Sequence, residues 1–278
     1  MICQNKEAAP KEVTPAALPR PRGGIGPLLR SALWLWGRSG PRRLFFVLRN
    51  GCRLWFANRR RLRQMKRLGI SIPTVLAISP TMRCNFNCRG CYSRGRPVEN
   101  ELSGRELDAL MREAEQLGIP VVVVTGGEPL LYPDLLQLTS KSRRLFFVII
   151  TNGTLVTPEV ARQVAGSGNT VLLVSIEGSP ADTDERRRSG AYAAAMEAFT
   201  HLRNAGAFFG FAATNTTANT AYLGSDAFMQ KMTECGCGVG FFTEYVPCDP
   251  HPHPHWVLSE TEREAFAGVS WNCGGSSR

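Results

Sequence analysis

The sequence predicts an α/β fold in which helices cover a parallel sheet of six strands. Three observations support this prediction. After Pro73, six short runs rich in β-branched and aromatic residues recur, helical stretches separate them, and most of the runs are apolar throughout. Consecutive apolar positions are typical of strands that are covered on both faces, as in parallel sheets. The alternation therefore predicts a parallel sheet that is either open or rolled into a partial barrel.

The predicted strands and helices follow one another in order. The strands are TVLAIS at 74–79, VVVVT at 121–125, LFFVIIT at 145–151, TVLLVSI at 170–176, FFGFAAT at 208–214 and VGFFTEY at 239–245. Ser103 and Glu106 form a capping box before a helix, and Ser259 and Glu262 repeat this box near the C-terminus. In both architectures ligands gather where strands end and loops begin. We therefore expect functional residues at these strand ends.

The positive charge of the chain is concentrated in one segment. The net charge is +10, and fourteen of the 33 Lys and Arg residues lie between Arg20 and Arg67. No Asp or Glu occurs between Glu12 and Glu99, so the rest of the chain is mildly acidic. The chain is long enough to bury a full core. We divide it into a disordered N-terminus (1–27), a basic aromatic-rich helical segment (28–72), a core (73–247) and a tail (248–278).

Residues 28–68 interleave Leu, Phe and Trp with Arg, which predicts helices broken near Gly37 to Pro41. Aromatic rings beside arginines suit a peripheral helix at the inner face of a membrane, with the guanidinium groups on anionic lipid. The alternative is a pair of helices that pack on the core with their arginines outward. Arginines and aromatic residues also suit nucleic acid, but no recognised module accompanies them, so no nucleic acid is expected.

The cysteine content and the N-terminus indicate a cytoplasmic protein. There are nine cysteines in 278 residues, and the chain opens without a basic start followed by an apolar run. We therefore expect a reducing compartment rather than a disulfide scaffold. The run LFFVL at 44–48 is stopped by Arg49, far short of the roughly 20 apolar residues that cross a bilayer.

Three cysteines, Cys84, Cys88 and Cys91, follow the first predicted strand in a loop. The spacing CxxxCxxC on a flexible loop lets three thiolates converge on a soft metal centre. A structural zinc site takes four protein ligands, and the next Cys or His along the chain is His201. Three cysteines suit a 4Fe-4S cluster in which the fourth iron is left to bind a small molecule. The alternative is three structural or incidental thiols.

The second predicted strand is followed directly by TGGEP, from Thr125 to Pro129. Glycine lets the backbone approach a ligand closely, and Glu128 places a carboxylate there that suits a cationic amine. By itself, GGEP also fits a simple turn into a helix.

These motifs together resemble the radical S-adenosylmethionine (radical SAM) superfamily. The resemblance covers CxxxCxxC after the first strand, GGEP after the second and six strand-helix rounds over roughly residues 73–247. It implies a partial (β/α)6 barrel of the TIM-like type, a 4Fe-4S cluster, S-adenosylmethionine and an external one-electron donor such as a flavodoxin or ferredoxin. It also implies that S-adenosylmethionine is cleaved to a 5'-deoxyadenosyl radical that takes hydrogen from a substrate.

The resemblance also implies roles for individual residues. Cys84, Cys88 and Cys91 would hold the cluster. The other residues of the expected cofactor site are Gly126, Gly127, Glu128, Pro129, Asn152, Ser175, Glu177 and Arg187. For Arg187 the neighbours Arg186 and Arg188 are alternatives, and a solvated charge run is another. The alternative to a cofactor contact is a buried serine for Ser175 and an ordinary Asn-Gly turn for Asn152.

Two departures from the family pattern stand out. Many members place an aromatic residue before the third cysteine, where this chain has Gly90 and its aromatic, Tyr92, follows. Relatives with a similar fourth-strand signature often continue into a cysteine-rich extension, but here the last cysteines are sparse and favour free thiols. The substrate is not identified; peptide and lipid-linked substrates are both candidates. The alternatives are a non-enzymatic iron-sulfur electron carrier, a peptide-modifying fragment that lacks its extension, and a membrane-surface adaptor with a degraded core.

Overall fold

The computed structural model describes residues 25–97, 101–248 and 252–269, with side chains from residue 42 onward. Its six strands form one sheet in the order β1 to β6. They are β1 (Val75–Ile78), β2 (Val121–Val124), β3 (Phe146–Thr151), β4 (Thr170–Ser175), β5 (Phe209–Asn215) and β6 (Val239–Glu244). All five neighbouring pairs are parallel, and no described pairing joins β1 to β6. The predicted α/β fold is confirmed as a partial (β/α)6 barrel, open between its first and last strands.

Helices connect and cover the strands. They are α1 (Ile25–Leu68), α2 (Gly104–Leu117), α3 (Leu135–Lys141), α4 (Pro158–Ser167), α5 (Pro180–Arg186), α6 (Ala191–Asn204), α7 (Thr220–Leu223), α8 (Asp226–Cys235) and α9 (Glu260–Ala267). The two predicted capping boxes are present: Ser103 and Glu106 begin α2, and Ser259 and Glu262 begin α9.

The core lies between the sheet and its outer helices. Every residue of β4 is buried, as expected for a central strand. On the outer side of the sheet, the fully buried rings of Phe209, Phe211 and Phe228 fill the space under α6 and α8. The expectation that strands are covered on both faces is wrong for the two edge strands, β1 and β6, where Val75, Val239 and Phe241 are more than one-third exposed. The reason is topological, since each of these strands has a neighbouring strand on one side and the barrel opening on the other.

Helix α1 is continuous, and the predicted break near Gly37 to Pro41 is wrong. The helix runs from Ile25 to Leu68 over 44 residues, although proline in a helix removes one backbone donor. The helix-breaking tendency of the Gly37 to Pro41 stretch is therefore not sufficient to interrupt α1. Among the described residues, no helix is long and apolar enough to span a bilayer.

Helix α1 lies across the N-terminal ends of the strands. Before its midpoint, Arg43 donates a hydrogen bond to the Gly236 carbonyl oxygen ahead of β6 (2.9 Å). In the middle, Asn50 donates to the Gly168 carbonyl oxygen ahead of β4 (3.2 Å). Close to its end, Arg61 donates to the carbonyl oxygen of Ile72 ahead of β1 (2.7 Å).

Aromatic packing and hydrogen bonds complete this contact at the other strands. Phe46 stacks on Phe208, which precedes β5, with ring centroids 5.3 Å apart, and lies 6.2 Å from Phe146 at the start of β3. Arg60 and Gln64 donate to the Gln116 carbonyl oxygen at the end of α2, which leads into β2. Helix α1 thus contacts the approach to all six strands and packs on the core. It does so as one helix rather than the expected pair, and Arg43, Arg60 and Arg61 donate hydrogen bonds toward the core rather than facing outward.

Part of the predicted division of the chain falls outside the described residues. This applies to residues 1–24 of the predicted disordered N-terminus and to 249–251 and 270–278 of the tail. The described part of the tail forms a short 3₁₀ turn, Pro254–Trp256, and α9. The domain boundaries themselves remain predictions.

Candidate functional site

A cavity of about 350 Å³ lies at the C-terminal ends of the strands, at the opposite end of the barrel from α1. The ends of β2, β3, β4, β5 and β6 contribute to its wall. Nine of the eleven predicted site residues line it: Cys84, Cys88, Cys91, Gly126, Gly127, Glu128, Asn152, Ser175 and Arg187. Pro129 is buried beneath the wall as the first residue of a short 3₁₀ turn, and Glu177 lies fully buried behind it.

The three cysteines belong to the loop that follows β1. Cys84 is exposed, Cys88 is buried and Cys91 is half-buried, and all three are free thiols. Burial raises the pKa of the Cys84 and Cys88 thiols, and the Arg187 guanidinium opposes that rise at Cys88. No three Cys, His, Asp or Glu side chains of the described residues surround a single metal-ion position. In a cluster that offers a separate iron to each cysteine, the thiols need not meet at one point.

Backbone hydrogen bonds hold this cysteine loop against the turn that follows β2. The N–H of Gly127 donates to the Thr81 carbonyl oxygen (2.9 Å), and the N–H of Glu128 donates to that of Arg83 (2.8 Å). On the other side, the N–H of Arg89 donates to the Arg186 carbonyl oxygen at the end of α5 (2.8 Å). The loop is therefore seated on two strand-helix units, those that begin with β2 and with β4.

Glycine at 126 and 127 is required by this seating. A Cβ at Gly127 would stand 2.1 Å from the Arg83 carbonyl oxygen, and one at Gly126 would stand 2.5 Å from that of Thr81. Gly126 also has φ +114°, which side-chain-bearing residues rarely adopt. The GGEP motif predicts close approach of a ligand here, but the structure shows close approach of the cysteine loop. Within the described residues, the Gly126 and Gly127 carbonyl oxygens accept no hydrogen bond, so both remain available as acceptors.

The Glu128 carboxylate is buried and already hydrogen-bonded. It accepts from the Thr151 hydroxyl (2.7 Å), from the backbone N–H of Asn152 (2.7 Å) and from that of Leu130 (3.0 Å). Burial raises the pKa of Glu128, and these three donors oppose the rise. The side chain therefore joins the ends of β2 and β3 as well as lining the cavity.

Asn152 connects the end of β3 to the cysteine loop. Its amide nitrogen Nδ2 donates to Asn85 Oδ1 (2.7 Å), and its Oδ1 accepts from the N–H and hydroxyl of Thr154. Asn85 in turn donates from Nδ2 to the Thr154 hydroxyl (2.8 Å). Asn85 and Thr154 are functional candidates that the sequence analysis missed, although Asn85 lies inside the cysteine motif.

Ser175 and Glu177 differ in what they offer to a ligand. Ser175 ends β4 at the cavity wall, and its hydroxyl makes no hydrogen bond with a described residue. Glu177 accepts from Arg186 Nη1 (2.6 Å), from Arg187 Nη2 (2.5 Å) and from the N–H of Thr214 (3.1 Å). Burial by itself raises a carboxyl pKa, but the two arginines outweigh it and hold the pKa of Glu177 below its ordinary value.

The arginine run at the end of α5 divides into two roles. Arg186 and Arg187 both line the cavity and share the single Glu177 carboxylate, which leaves one positive charge in excess. Arg186 Nε is buried without a partner among the described residues. Arg188 instead lies over the Phe86 ring, 4.9 Å from its centroid. The cavity thus contains an incompletely neutralised guanidinium pair, which suits a carboxylate ligand.

Aromatic residues that the sequence analysis did not place complete the wall. Tyr245 is buried at the end of β6, and a Cβ at Gly90 would stand 2.6 Å from its ring. The rings of Tyr245 and Trp256 make an edge contact at 5.4 Å. The space beside the third cysteine is therefore filled from the far end of the chain. Tyr92 also lines the cavity, and its hydroxyl accepts from the N–H of Gly126 (2.8 Å).

Residues 78–217 match the model of one protein family, described as the Radical SAM superfamily. The match covers half of the chain and includes the cysteine loop, the turn after β2 and the arginine run.

Individual proteins are also similar to this chain. The Fe-coproporphyrin III synthase of Methanosarcina barkeri is 34% identical over 137 residues, which are 48% of this chain and 34% of that protein. The mycofactocin maturase MftC of Mycobacterium ulcerans is 31% identical over 142 residues, 50% of this chain and 38% of that protein. The chain thus spans well under half the length of these relatives.

Among solved structures, Streptococcus suis SuiB bound to its precursor peptide SuiA is similar with a TM-score of 0.64 and 18% identity. The similarity covers 75% of this chain and 48% of SuiB. At this identity the likeness concerns the fold.

Proposed function

The chain belongs to the radical SAM superfamily, and we propose that it is an enzyme that cleaves S-adenosylmethionine reductively in the cavity at the C-terminal ends of its strands. This family uses a 4Fe-4S cluster and S-adenosylmethionine. When bound, the reduced cluster supplies one electron that breaks a carbon–sulfur bond of S-adenosylmethionine, giving methionine and a 5'-deoxyadenosyl radical that takes hydrogen from a substrate. The observation that carries this proposal is the placement of three free thiols and an incompletely neutralised arginine pair around one cavity.

The residues of the cavity fit an iron-sulfur cluster. Cys84, Cys88 and Cys91 would hold it, because free thiols on one loop are the ligands that such clusters take. Asn85, inside the motif, ties this loop to the end of β3 through Asn152. The chain's own contribution is thus to fix the loop before a cluster is bound.

The same wall fits an amino acid carrying an ammonium and a carboxylate group. The free carbonyl oxygens of Gly126 and Gly127 are acceptors for the ammonium group, beside the Glu128 carboxylate. Arg186 and Arg187 provide the compensating positive charge for a carboxylate, and Glu177 positions them from behind. Ser175 and Asn152 offer polar groups along the same wall.

We propose a peptide as the substrate. The open edge of β6 supports this, because Phe241 and Thr243 line the cavity and no described strand pairs with the outer side of β6. An extended peptide added to such an edge keeps its backbone hydrogen-bonded while alternate side chains reach the cavity. SuiB, whose fold is similar, is described with a bound precursor peptide, and MftC is named as a maturase.

A tetrapyrrole is the second candidate. It is favoured by the 34% identity to a protein named Fe-coproporphyrin III synthase. Propionate groups of such a substrate would need cationic partners. Arg89 is exposed on the cysteine loop, and Arg94 is half-buried on the turn after it.

The proposal further includes an external one-electron donor, such as a flavodoxin or ferredoxin, and a reducing cytoplasmic compartment. None of the seven described cysteines forms a disulfide, and a reducing compartment keeps the cluster thiols in that state.

The test is anaerobic reconstitution followed by reaction with dithionite and S-adenosylmethionine. We expect about four irons per chain and formation of 5'-deoxyadenosine. Cys88→Ala should abolish that product, whereas Cys235→Ala, at a buried cysteine outside the cavity, should retain it. A bound cluster without any cleavage would favour the electron-carrier alternative, and unchanged cleavage in Cys88→Ala would overturn the ligand assignment.

The substrate class is tested by stimulation of 5'-deoxyadenosine formation above the substrate-free rate. A library of short peptides and coproporphyrin III are the two probes. Stimulation by the peptides alone supports the peptide proposal, and stimulation by the tetrapyrrole alone contradicts it.

A further inference from the structure

The outward face of α1 carries apolar side chains that no described residue covers. Phe45, Leu48, Trp55 and Phe56 are 64%, 57%, 51% and 66% exposed. Their spacing places all four on one side of the helix, opposite the side that packs on the strand ends. A contiguous patch of this kind marks an interaction surface rather than a random scatter of exposed residues.

A basic groove continues this patch. Its volume is about 650 Å³, and it lies between α1, the end of α2 and the loop before β3. Phe56 and Glu115 line it together with six arginines: Arg53, Arg60, Arg63, Arg67, Arg143 and Arg144. Because Phe56 also belongs to the apolar patch, the two features form one surface.

Most of the charge in this groove is not neutralised. The guanidinium groups of Arg63, Arg67, Arg143 and Arg144 make no hydrogen bond or ion pair with a described residue, and α1 contains no acidic residue. Glu115 is the one carboxylate among the groove residues, and it accepts a hydrogen bond from the backbone N–H of Arg144. Four free guanidinium groups around one groove are donors suited to phosphate.

We propose that this surface docks the protein on an anionic phospholipid bilayer. The aromatic and aliphatic side chains enter the boundary between headgroups and acyl chains, and the arginines bind the headgroup phosphates. Nucleic acid also matches the arginines and the exposed aromatic rings, but no recognised nucleic-acid-binding module accompanies them. This inference does not depend on the proposed reaction.

The docked orientation has a consequence for the substrate. Helix α1 lies at the N-terminal ends of the strands and the cavity at their C-terminal ends, so they are about 20 Å apart for strands of six residues at about 3.3 Å per residue. The cavity therefore opens away from the bilayer. A substrate reaches it from the aqueous side, which favours a peptide over a lipid-linked molecule held in the same membrane.

The first test is co-sedimentation of the full chain with vesicles. We expect binding to vesicles of phosphatidylglycerol and phosphatidylcholine, weakening at high salt, and none to phosphatidylcholine alone. The triple variant Arg63→Glu, Arg67→Glu, Arg144→Glu should lower the partition by roughly a hundredfold or more, at about fivefold for each positive charge lost. Arg105→Glu, at an exposed arginine beginning α2 on the opposite end of the barrel, is the matched control and should bind like the native chain.

Several outcomes would overturn the inference. These are equal binding to neutral and anionic vesicles, no binding by the intact chain, or equal losses in the triple variant and the control. Displacement of the protein from vesicles by a trace amount of duplex DNA or RNA would assign the surface to nucleic acid instead.

The second test uses two exposed thiols as position markers. Cys52 lies on α1 beside the apolar patch, and Cys248 lines the cavity at the other end of the barrel. On anionic vesicles, we expect alkylation of Cys52 by N-ethylmaleimide to slow at least fivefold and that of Cys248 to stay unchanged. Protection of Cys248 instead, or of both thiols equally, would contradict the orientation.

Discussion

Gly127 and Arg83 are in such close contact that any side chain at 127 would collide with the Arg83 carbonyl oxygen, at 2.1 Å from a Cβ. This contact, together with two backbone hydrogen bonds, seats the cysteine loop on the turn after β2. The geometry of the three thiols therefore depends on a glycine that is not itself a proposed ligand to iron.

Gly127→Ala should disturb the loop more than the fold. Because the clashing atom is backbone, the loop must shift, and we expect the iron content after reconstitution to fall below half of the native value. Far-ultraviolet circular dichroism should stay close to native. Gly104→Ala, where a Cβ meets no atom within 4 Å, is the control and should load iron normally. Full iron loading of Gly127→Ala would show that the loop does not need this contact.

Arg187→Met should weaken the binding of S-adenosylmethionine to the reconstituted, unreduced protein. Removing one arginine leaves Glu177 paired with Arg186 alone, so the excess positive charge disappears. A charge-assisted hydrogen bond contributes about 1.5–3 kcal/mol, so we expect roughly a ten- to hundredfold loss of affinity in equilibrium titration. Arg188→Met, at the neighbouring arginine that lies over Phe86, should change affinity little. Similar losses in both variants would refute the division of roles.

Glu177→Gln should destabilise the protein because it leaves two buried arginines without a carboxylate. We expect a loss of about 3–5 kcal/mol in the free energy of unfolding at pH 7, measured by urea denaturation under reducing conditions. Glu159→Gln, at an exposed ion pair on α4, is the control and should have little effect.

The same pair predicts the direction of a pH effect. The pKa of Glu177 is lowered in the folded state. The contribution of Glu177 to the free energy of unfolding is therefore complete above its unfolded pKa of about 4.3, and it is lost as the pH falls through the lower folded pKa. The stability difference between the native chain and Glu177→Gln should therefore be constant at neutral pH and shrink on acidification below about pH 4.3. A difference that grows with acid would contradict the lowered pKa.

Gly90→Ala should be destabilising for a specific reason, the Tyr245 ring. The added Cβ would stand 2.6 Å from that ring, whereas a Cβ at Gly190, which also has a positive φ, meets nothing within 4 Å. Gly190→Ala thus measures the backbone strain alone, and Gly90→Ala should lower the free energy of unfolding by more than Gly190→Ala does. Combined with Tyr245→Ala, the Gly90 substitution should show a coupling energy of about 0.5–3 kcal/mol in a double-mutant cycle. Equal costs at both glycines would exclude the ring contact.

Local sequence signals were sufficient for the fold and for the common location of most candidate site residues. Apolar runs fixed the six strands, and the placement of Cys84 and Gly126 directly after two of them brought their loops to one end of the barrel. Parallel strands have their carboxyl ends on one side, so residues that follow different strands become neighbours without further information.

The remaining features depend on contacts between distant parts of the chain. Successive residues at the end of a helix point in different directions, so the sequence could not show that Arg186 joins Arg187 while Arg188 turns away. The partner of Gly90 is Tyr245, beyond the sixth strand, and no local pattern links them. The break predicted near Pro41 failed because proline disfavours a helix without forbidding it.

The open barrel has two edge strands that no described hydrogen bond joins, and α1 is attached near both of them. Arg61 anchors it ahead of β1, and Arg43 anchors it ahead of β6. The helix therefore links the two edge strands from outside the sheet and restrains the curvature of the sheet. The width of the gap through which a long substrate would thread is thus determined at the end of the molecule farthest from the chemistry.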